Sequence, residues 1–419
     1  MTPTAANLTT WAIAALATAG VIGRPFRLPE AVWAASGAAL LVLLGLLPAA
    51  DAWRGVGKGT DVYLFLIGMM LLSETARREG LFDWVAAAAV NAAKGSRRRL
   101  FALVYLVGIV VTAFLSNDAT AVVLTPAVYA VSRTARADPL PYLFICAFIA
   151  NAASFLLPIS NPANLVVFAD HMPSLVAWLG RFALPSVLAI AATFAGLRLV
   201  EGVTLRQPCA ERVDQPKLSP GGWVALIAIG LTAVVLLAVS ALDIPIGAPT
   251  CVMGVVAATV VHLRTRTSPW PLLRGVSWSV LPLVAGLFVL VEALGRSGLI
   301  GLLAGLLQDA AHRSATGAAA GAGGLISVAS NLVNNLPAGL IASATLAQAH
   351  APGTVTDAVL IGVDLGPNLS ITGSLATILW LTALRREGES VGFWRFLKVG
   401  ALVMPLALVP ALAARLLIG

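Results

Sequence analysis

The chain has 419 residues, 59% of them hydrophobic and 11% charged, with a net charge of +8 and a mean hydropathy of +0.91. A soluble domain carries about 25% charged residues, so this composition leaves too little polar surface to face water. The 27 Lys and Arg are scattered over short segments, a topology signal that argues against a nucleic-acid partner. Cys146, Cys209 and Cys251 lie too far apart for a disulfide framework or a zinc site, so no cofactor or metal is expected.

Apolar runs recur along the whole length, many near the ~17–25 residues that cross a bilayer. The first 23 residues lack a basic leader and a small-residue cleavage site, and are read as the first span rather than a signal peptide. Spans are predicted near 8–23, 29–49, 60–77, 100–133, 139–168 and 175–199. A polar linker, 201–218, follows; then come 219–241, 244–263, 274–295, 316–349, 355–384 and 391–417.

The two halves resemble each other. Gly68, Glu74, Gly80 and Leu81 recur 218 residues later as Gly286, Glu292, Gly298 and Leu299. Asn117-Asp118 matches Asn334-Asn335 at 217, and Ile159-Ser160 matches Ile371-Thr372 at 212. Charge gives the relative orientation. With Lys94–Arg99 in the cytoplasm, 21 of the 27 basic residues fall on that side, and Arg54, Lys58, Arg181, Arg296, Arg313 and Arg415 fall outside. That split requires 100–133 to enter and return on the cytoplasmic side, and 316–349 to do so from outside. The expected fold is an all-α polytopic membrane protein of two inverted-topology repeats, 1–200 and 219–419. Each repeat holds a re-entrant hairpin and a broken transmembrane helix, and the linker 201–218 is cytoplasmic.

Four polar stretches interrupt apolar segments: Ser116–Asp118, Ser160–Asn164, Asn331–Pro337 and Ile371–Ser374. Asn, Asp, Gly and Pro disfavour helix interiors, and backbone groups freed at membrane depth must find partners in protein or a wet cavity. Half-helix N-termini at such breaks would offer N–H donors to a solute. A single break would suit a kinked span whose amides glue helices together; four, paired across the halves, favour a transport site. Ionisable groups at this depth are costly and usually functional, which makes Asp118 the first candidate proton carrier. Asp364 is the second, with capping of the break as its competing role. Glu74 and Glu292 lie close to Arg-bearing helix ends and are read as interfacial ion-pair partners. His171, His262, His312 and His350 sit near span ends and do not form a relay.

On these residues the chain resembles the arsenical efflux permeases of the ion transporter superfamily, over essentially its full length. The most specific stretch is Val363–Leu381, which resembles the family's DLGP…GSLAT-LLW pattern; Phe114–Pro126 and Ser330–Pro337 resemble its two hairpin tips. The resemblance implies a bacterial inner-membrane exporter of arsenite and antimonite, driven by protons and in some members assisted by a cytoplasmic ATPase subunit. It carries over Asn117, Asp118, Asn161, Asn164, Asn334, Asn335, Thr372 and Ser374 as substrate-binding positions. The family often has Asp where Asn151 stands and Leu-Val where Pro162-Ala163 stand, which puts a two-carboxylate coupling scheme in doubt.

Arsenous acid is a neutral trihydroxide whose hydroxyls suit Asn, Ser and Thr; the alternative, a soft three-thiolate site, is disfavoured by the dispersed cysteines. A sodium-coupled dicarboxylate or sulfate symporter and a sodium/proton antiporter are the other readings, the former weakened by the acidic tip. No protease or lipid-transferase signature lies on any span, so no enzyme is expected.

Overall fold

The structure is a computed structural model that describes residues 3–168, 172–242 and 244–418, so His171 lies outside the described residues. All its named elements are helical, joined by turns and short irregular segments. The first half runs α1 (Pro3–Gly23), α2 (Glu30–Leu43), α3 (Ala49–Lys58), α4 (Thr60–Arg78), α5 (Leu81–Ala93) and α6 (Arg97–Leu115). After a turn at Ser116 come α7 (Asn117–Ala119), a π-helical turn (Thr120–Leu124) and α8 (Thr125–Thr134). α9 (Leu140–Ala152), a 3₁₀ turn (Pro158–Ser160), α10 (Pro162–Phe168) and α11 (Leu175–Val200) complete it.

The second half passes through the same order: α12 (Pro220–Ala241), α13 (Gly247–Thr265), α14 (Trp270–Gly275), α15 (Val280–Arg296) and α16 (Leu299–Arg313). Then follow α17 (Ala315–Val333), a turn at Asn334, α18 (Asn335–Ala349), α19 (Gly353–Leu365), a 3₁₀ turn (Gly366–Leu369), α20 (Leu375–Arg386) and α21 (Phe393–Ile418). Among the described residues seven helices are long and apolar enough to cross a membrane. The bent pairs α3–α4 (48°) and α15–α16 (72°) bring the number to as many as nine. The chain is a multi-pass membrane protein.

The sequence reading found the long spans and missed four shorter helices, α3, α5, α14 and α16, which are too short or too polar to register as crossings. Gly80 and Gly298 explain two of them: each adopts a left-handed conformation (φ 75° and 84°) that ends α4 and α15 and starts the next helix at an angle. Serines start five of the longer elements cleanly, whereas α3 and α14 begin after Pro48 and Pro269 with no side-chain cap. The side chains of Ser96, Ser174, Ser219, Ser314 and Ser374 each accept a backbone N–H from the first turn of α6, α11, α12, α17 and α20.

The halves interlock through glycine. α13 packs on α4 and α2 on α15. A Cβ on Gly68 would overlap the Thr250 carbonyl, and one on Gly286 would overlap the Ala34 carbonyl. Small residues let membrane helices approach backbone to backbone, and here two glycines 218 residues apart do so against matching partner helices.

Ion pairs collect at the ends. Asp51 pairs with Arg54 and Arg296, and Lys58 donates to Glu292 at 2.7 Å. At the other end of α4, Glu74 accepts from Arg77 and Arg78, and Arg78 reaches the Pro271 carbonyl. Both glutamates are therefore ion-pair partners, as expected. The linker is strapped to the base of the first hairpin: Cys209 N donates to Gly95 O, Ala210 N to Ala135 O, and Arg97 to the Gln207 side chain.

Candidate functional site

The four polar interruptions fall where the backbone turns or breaks. Ser116 (φ 96°, ψ 161°) and Asn334 (φ 72°, ψ 152°) share a conformation that non-glycine residues adopt at a cost of about 1–3 kcal/mol. Each turns the chain from an inbound helix into a returning one. The Asn117 side chain accepts from Asp118 N at 2.9 Å, and that of Asn334 from Leu336 N at 3.4 Å.

The tips correct the pairing read from the sequence. The strained turn residues are Ser116 and Asn334, 218 apart, so Asn117 corresponds to Asn335 and Asp118 to Leu336, not to Asn335. The turn conformation sets the register; matching the letters Asn-Asp to Asn-Asn slipped it by one. Each tip thus presents one asparagine, and only the first adds a carboxylate, beside the π-helical turn at Thr120–Leu124.

At the breaks, Asn161 caps α10 by accepting from Ala163 N at 3.0 Å, and Ser374 caps α20 by accepting from Thr377 N at 3.1 Å. Ser160 donates to Ala113 O at 3.2 Å and Thr372 to Asn331 O at 2.9 Å, so each break hangs on the inbound helix of its own half's hairpin. Asn164 donates to the carbonyls of Ser154, Leu157 and Pro158 at the break, of which Leu157 O also accepts from Ser160 N in the 3₁₀ turn. Asn334 donates to Thr372 O, and Asn335 N to Gly373 O at 2.8 Å. Across the halves, α10 packs on α18, and α20 on the π-helical turn.

The predicted residues therefore separate. Asn117, Asp118, Asn161 and Asn335 line one small cavity of about 20 Å³, closed by Leu66, Val280 and Val284. Asn164, Asn334, Thr372 and Ser374 do not line it; their polar atoms hold the breaks and the second tip in shape. Asp364 stands behind the cavity: fully buried, it accepts from Asn161 at 2.8 Å, and its second carboxylate oxygen has no hydrogen-bond partner. A second cavity, about 60 Å³, shares Asp118, Pro162, Leu66 and Val280 with the first and extends past Ser116, Ser73 and Glu74 to the exposed Gly275 and Ser277. Asp118 sits where the two meet.

Sequence reasoning named Asn331 and Asn151 but gave no binding or framework role to three amides that carry the framework. Asn331 donates to Ser327 O and Gly366 O and accepts from Ser370 through both N–H and hydroxyl, tying the second hairpin to its break. Asn151 donates to Asn368 at 3.0 Å and Thr377 at 3.4 Å, and Asn368 donates to Phe148 O. All three interrupt apolar runs, and a buried amide without a partner is costly; that was the available signal. Cys146 lies in α9, Cys209 in the linker and Cys251 in α13, and burial pushes the Cys209 thiol up, away from the thiolate. Among the described residues no three His, Cys, Asp or Glu side chains gather as a metal site.

Solved structures share the fold. The YdaH transporter of Alcanivorax borkumensis, whose topology is described as unusual, superposes with a TM-score of 0.57 at 17% identity, covering 87% of this chain and 86% of that one. MtrF of Neisseria gonorrhoeae, described as illuminating a class of antimetabolite efflux pumps, gives 0.54 at 13% identity, covering 90% and 84%. Sequence relatives are closer. The arsenical pump membrane protein of Yersinia enterocolitica is 30% identical over 91% of this chain and 92% of its own length. One from Escherichia coli is 28% identical over 92% and 93%. Residues 13–364 match the citrate transporter family, CitMHS. With its halves, tips and breaks laid out as above, the chain is a membrane transporter and belongs to the CitMHS family, in the company of the arsenical pump membrane proteins.

Proposed function

We propose that this transporter exports trivalent arsenite and antimonite from the bacterial cytoplasm in exchange for protons. One observation carries the reading: the cavity at the meeting of tips and breaks is lined by three asparagines and one carboxylate, with no Lys or Arg among its lining residues. Such a lining offers donors and acceptors to a neutral polyhydroxylated solute and one site for a proton. The arsenical pumps among the relatives support the same solute class.

The second reading is transport of a polyanion such as citrate, favoured by the family's description. The lining opposes it, because a carboxylate without a basic partner repels a polyanion. A sodium/proton antiporter stays compatible with an Asn-Asp lining, and the solute comparison below separates it.

In this scheme the repeats are inverted, 1–200 against 219–419, with the linker cytoplasmic. The matching element order supports the repeats, and the grouping of Arg54, Lys58 and Arg296 at the end of α4 opposite Arg77 and Arg78 supports the sidedness. Asp118 carries the proton and reaches the cytoplasm along the cavity that passes Glu74; Asp364 holds Asn161 in place. An ATPase subunit would dock on the linker side.

The test is transport into everted vesicles energised by a proton gradient, with As(III), Na⁺ and citrate compared as solutes. As(III) uptake is expected for the wild type and at least a hundredfold less for Asp118→Asn, with unchanged expression. Full uptake by Asp118→Asn rules Asp118 out as the carrier, and proton flux driven by citrate or Na⁺ but not As(III) rejects the substrate.

A further inference from the structure

Three helices converge on a charge cluster that lies outside the cavity at the tips. Arg415 of α21 donates through Nε and Nη2 to Asp357 Oδ2 of α19, at 2.8 and 2.6 Å. Arg181 of α11 approaches the other carboxylate oxygen at 3.6 Å. Asp357 is fully buried and Arg415 is 4% exposed. Two guanidinium groups against one carboxylate leave an excess positive charge on the partly exposed Arg181, and within the buried pair the Nη1 of Arg415 and the Oδ1 of Asp357 have no hydrogen-bond partner. A buried polar atom without a partner is unfavourable.

The cluster borders a cavity of about 490 Å³ whose walls include Arg181, Arg415, Gly353 and Thr354. Gly353 and Thr354 open α19, a 13-residue helix whose N-terminus carries no side-chain cap. Its first amides and the positive end of its dipole therefore border the cavity. The space is clear, since a Cβ on Gly180 or Gly353 would meet nothing within 4 Å.

We propose that this cavity is a binding site for a phosphate-class oxyanion, held by Arg181, Arg415 and the N-terminus of α19. Guanidinium groups take phosphate oxygens in a bidentate fork, and uncapped helix amides suit the same oxygens. The excess positive charge selects an anion over a cation, and Asp357 fixes Arg415 in position. The source is either the phosphoryl headgroup of an anionic lipid or free phosphate. Occupancy would brace α11, α19 and α21 at the end of α19 opposite Asp364.

The test uses the full-length protein and reads thermal unfolding, not transport. One arm titrates inorganic phosphate in detergent against chloride of equal ionic strength. The other compares nanodiscs of phosphatidylglycerol and phosphatidylcholine. Arg181→Gln, at a partly exposed position, and Thr354→Glu, which places a carboxylate at the helix start, are the variants; gel filtration verifies their folding. The wild type is expected to rise by several degrees in at least one arm, and both variants to weaken the apparent affinity at least tenfold. A response to phosphatidylglycerol alone assigns a lipid headgroup, and a response to phosphate assigns the free ion. No response in either arm, or variants that respond like the wild type, overturns the site.

Discussion

Asn161 and Asn164 are three residues apart in one broken helix, and both were expected to touch solute, yet they do different work. Asn161 borders the cavity with Asp118, caps α10, and donates to the buried Asp364. Asn164 spends its donors on three carbonyls of the break. Asn164→Ala is therefore expected to lower stability by about 1–3 kcal/mol through unsatisfied buried carbonyls, with transport per folded molecule within about threefold of wild type. Asn161→Ala is expected to lose at least tenfold in transport per folded molecule, equivalent to about 1.4 kcal/mol. Vesicle transport normalised to monodisperse protein, with melting curves, checks the pair, and equal transport losses would merge the two roles. Nothing in the sequence separates these asparagines, because side-chain direction at a break depends on which carbonyls the break exposes.

At the scale of elements, the hairpins and breaks act as units because their backbones are clamped to each other. Ser160 and Thr372 reach matching carbonyls in the two halves, and Asn331 adds a further tie only in the second. The α4–α13 and α2–α15 contacts are tighter still. Gly68→Ala and Gly286→Ala each place a methyl group against a backbone carbonyl, which cannot move aside as a side chain tip can. Each substitution is expected to cost about 1–3 kcal/mol, and by their matching positions the two should cost similar amounts. Melting temperature in detergent measures this. An unchanged value for one alone would mean that the two interlocks are not equivalent. The sequence showed that these glycines recur; that they sit on helix–helix crossings between halves came from the packing.

For the whole molecule, the arrangement of charge gives the proposed inverted topology its test. Single cysteines at Ser96 and Arg313, in a background with Cys146, Cys209 and Cys251 replaced, are expected to label from opposite faces with a membrane-impermeant thiol reagent. Ser96 should label in everted vesicles and Arg313 in intact spheroplasts; labelling of both from one face contradicts the inverted arrangement. The same background tests the solute chemistry, since full As(III) export without cysteines is expected if hydroxyls rather than thiolates are recognised.

Composition by itself determined that the chain lives in a membrane, because 11% charged residues cannot clothe a water-exposed surface of this size. Hydropathy placed the long crossings, since the bilayer imposes one length on each of them. The recurrence of Gly68, Glu74 and Gly80 exposed the relation between the halves, and the interruptions marked where the backbone turns and breaks. Only the tertiary structure decided which polar groups share a cavity and which brace the backbone. It also decided the register of the tips, where the strained conformations of Ser116 and Asn334 pair Asn117 with Asn335 and leave Asp118 without a polar counterpart. The reason is physical: hydropathy depends on residue type alone, whereas a hydrogen bond at a break depends on which donors and acceptors the surrounding helices bring within about 3 Å.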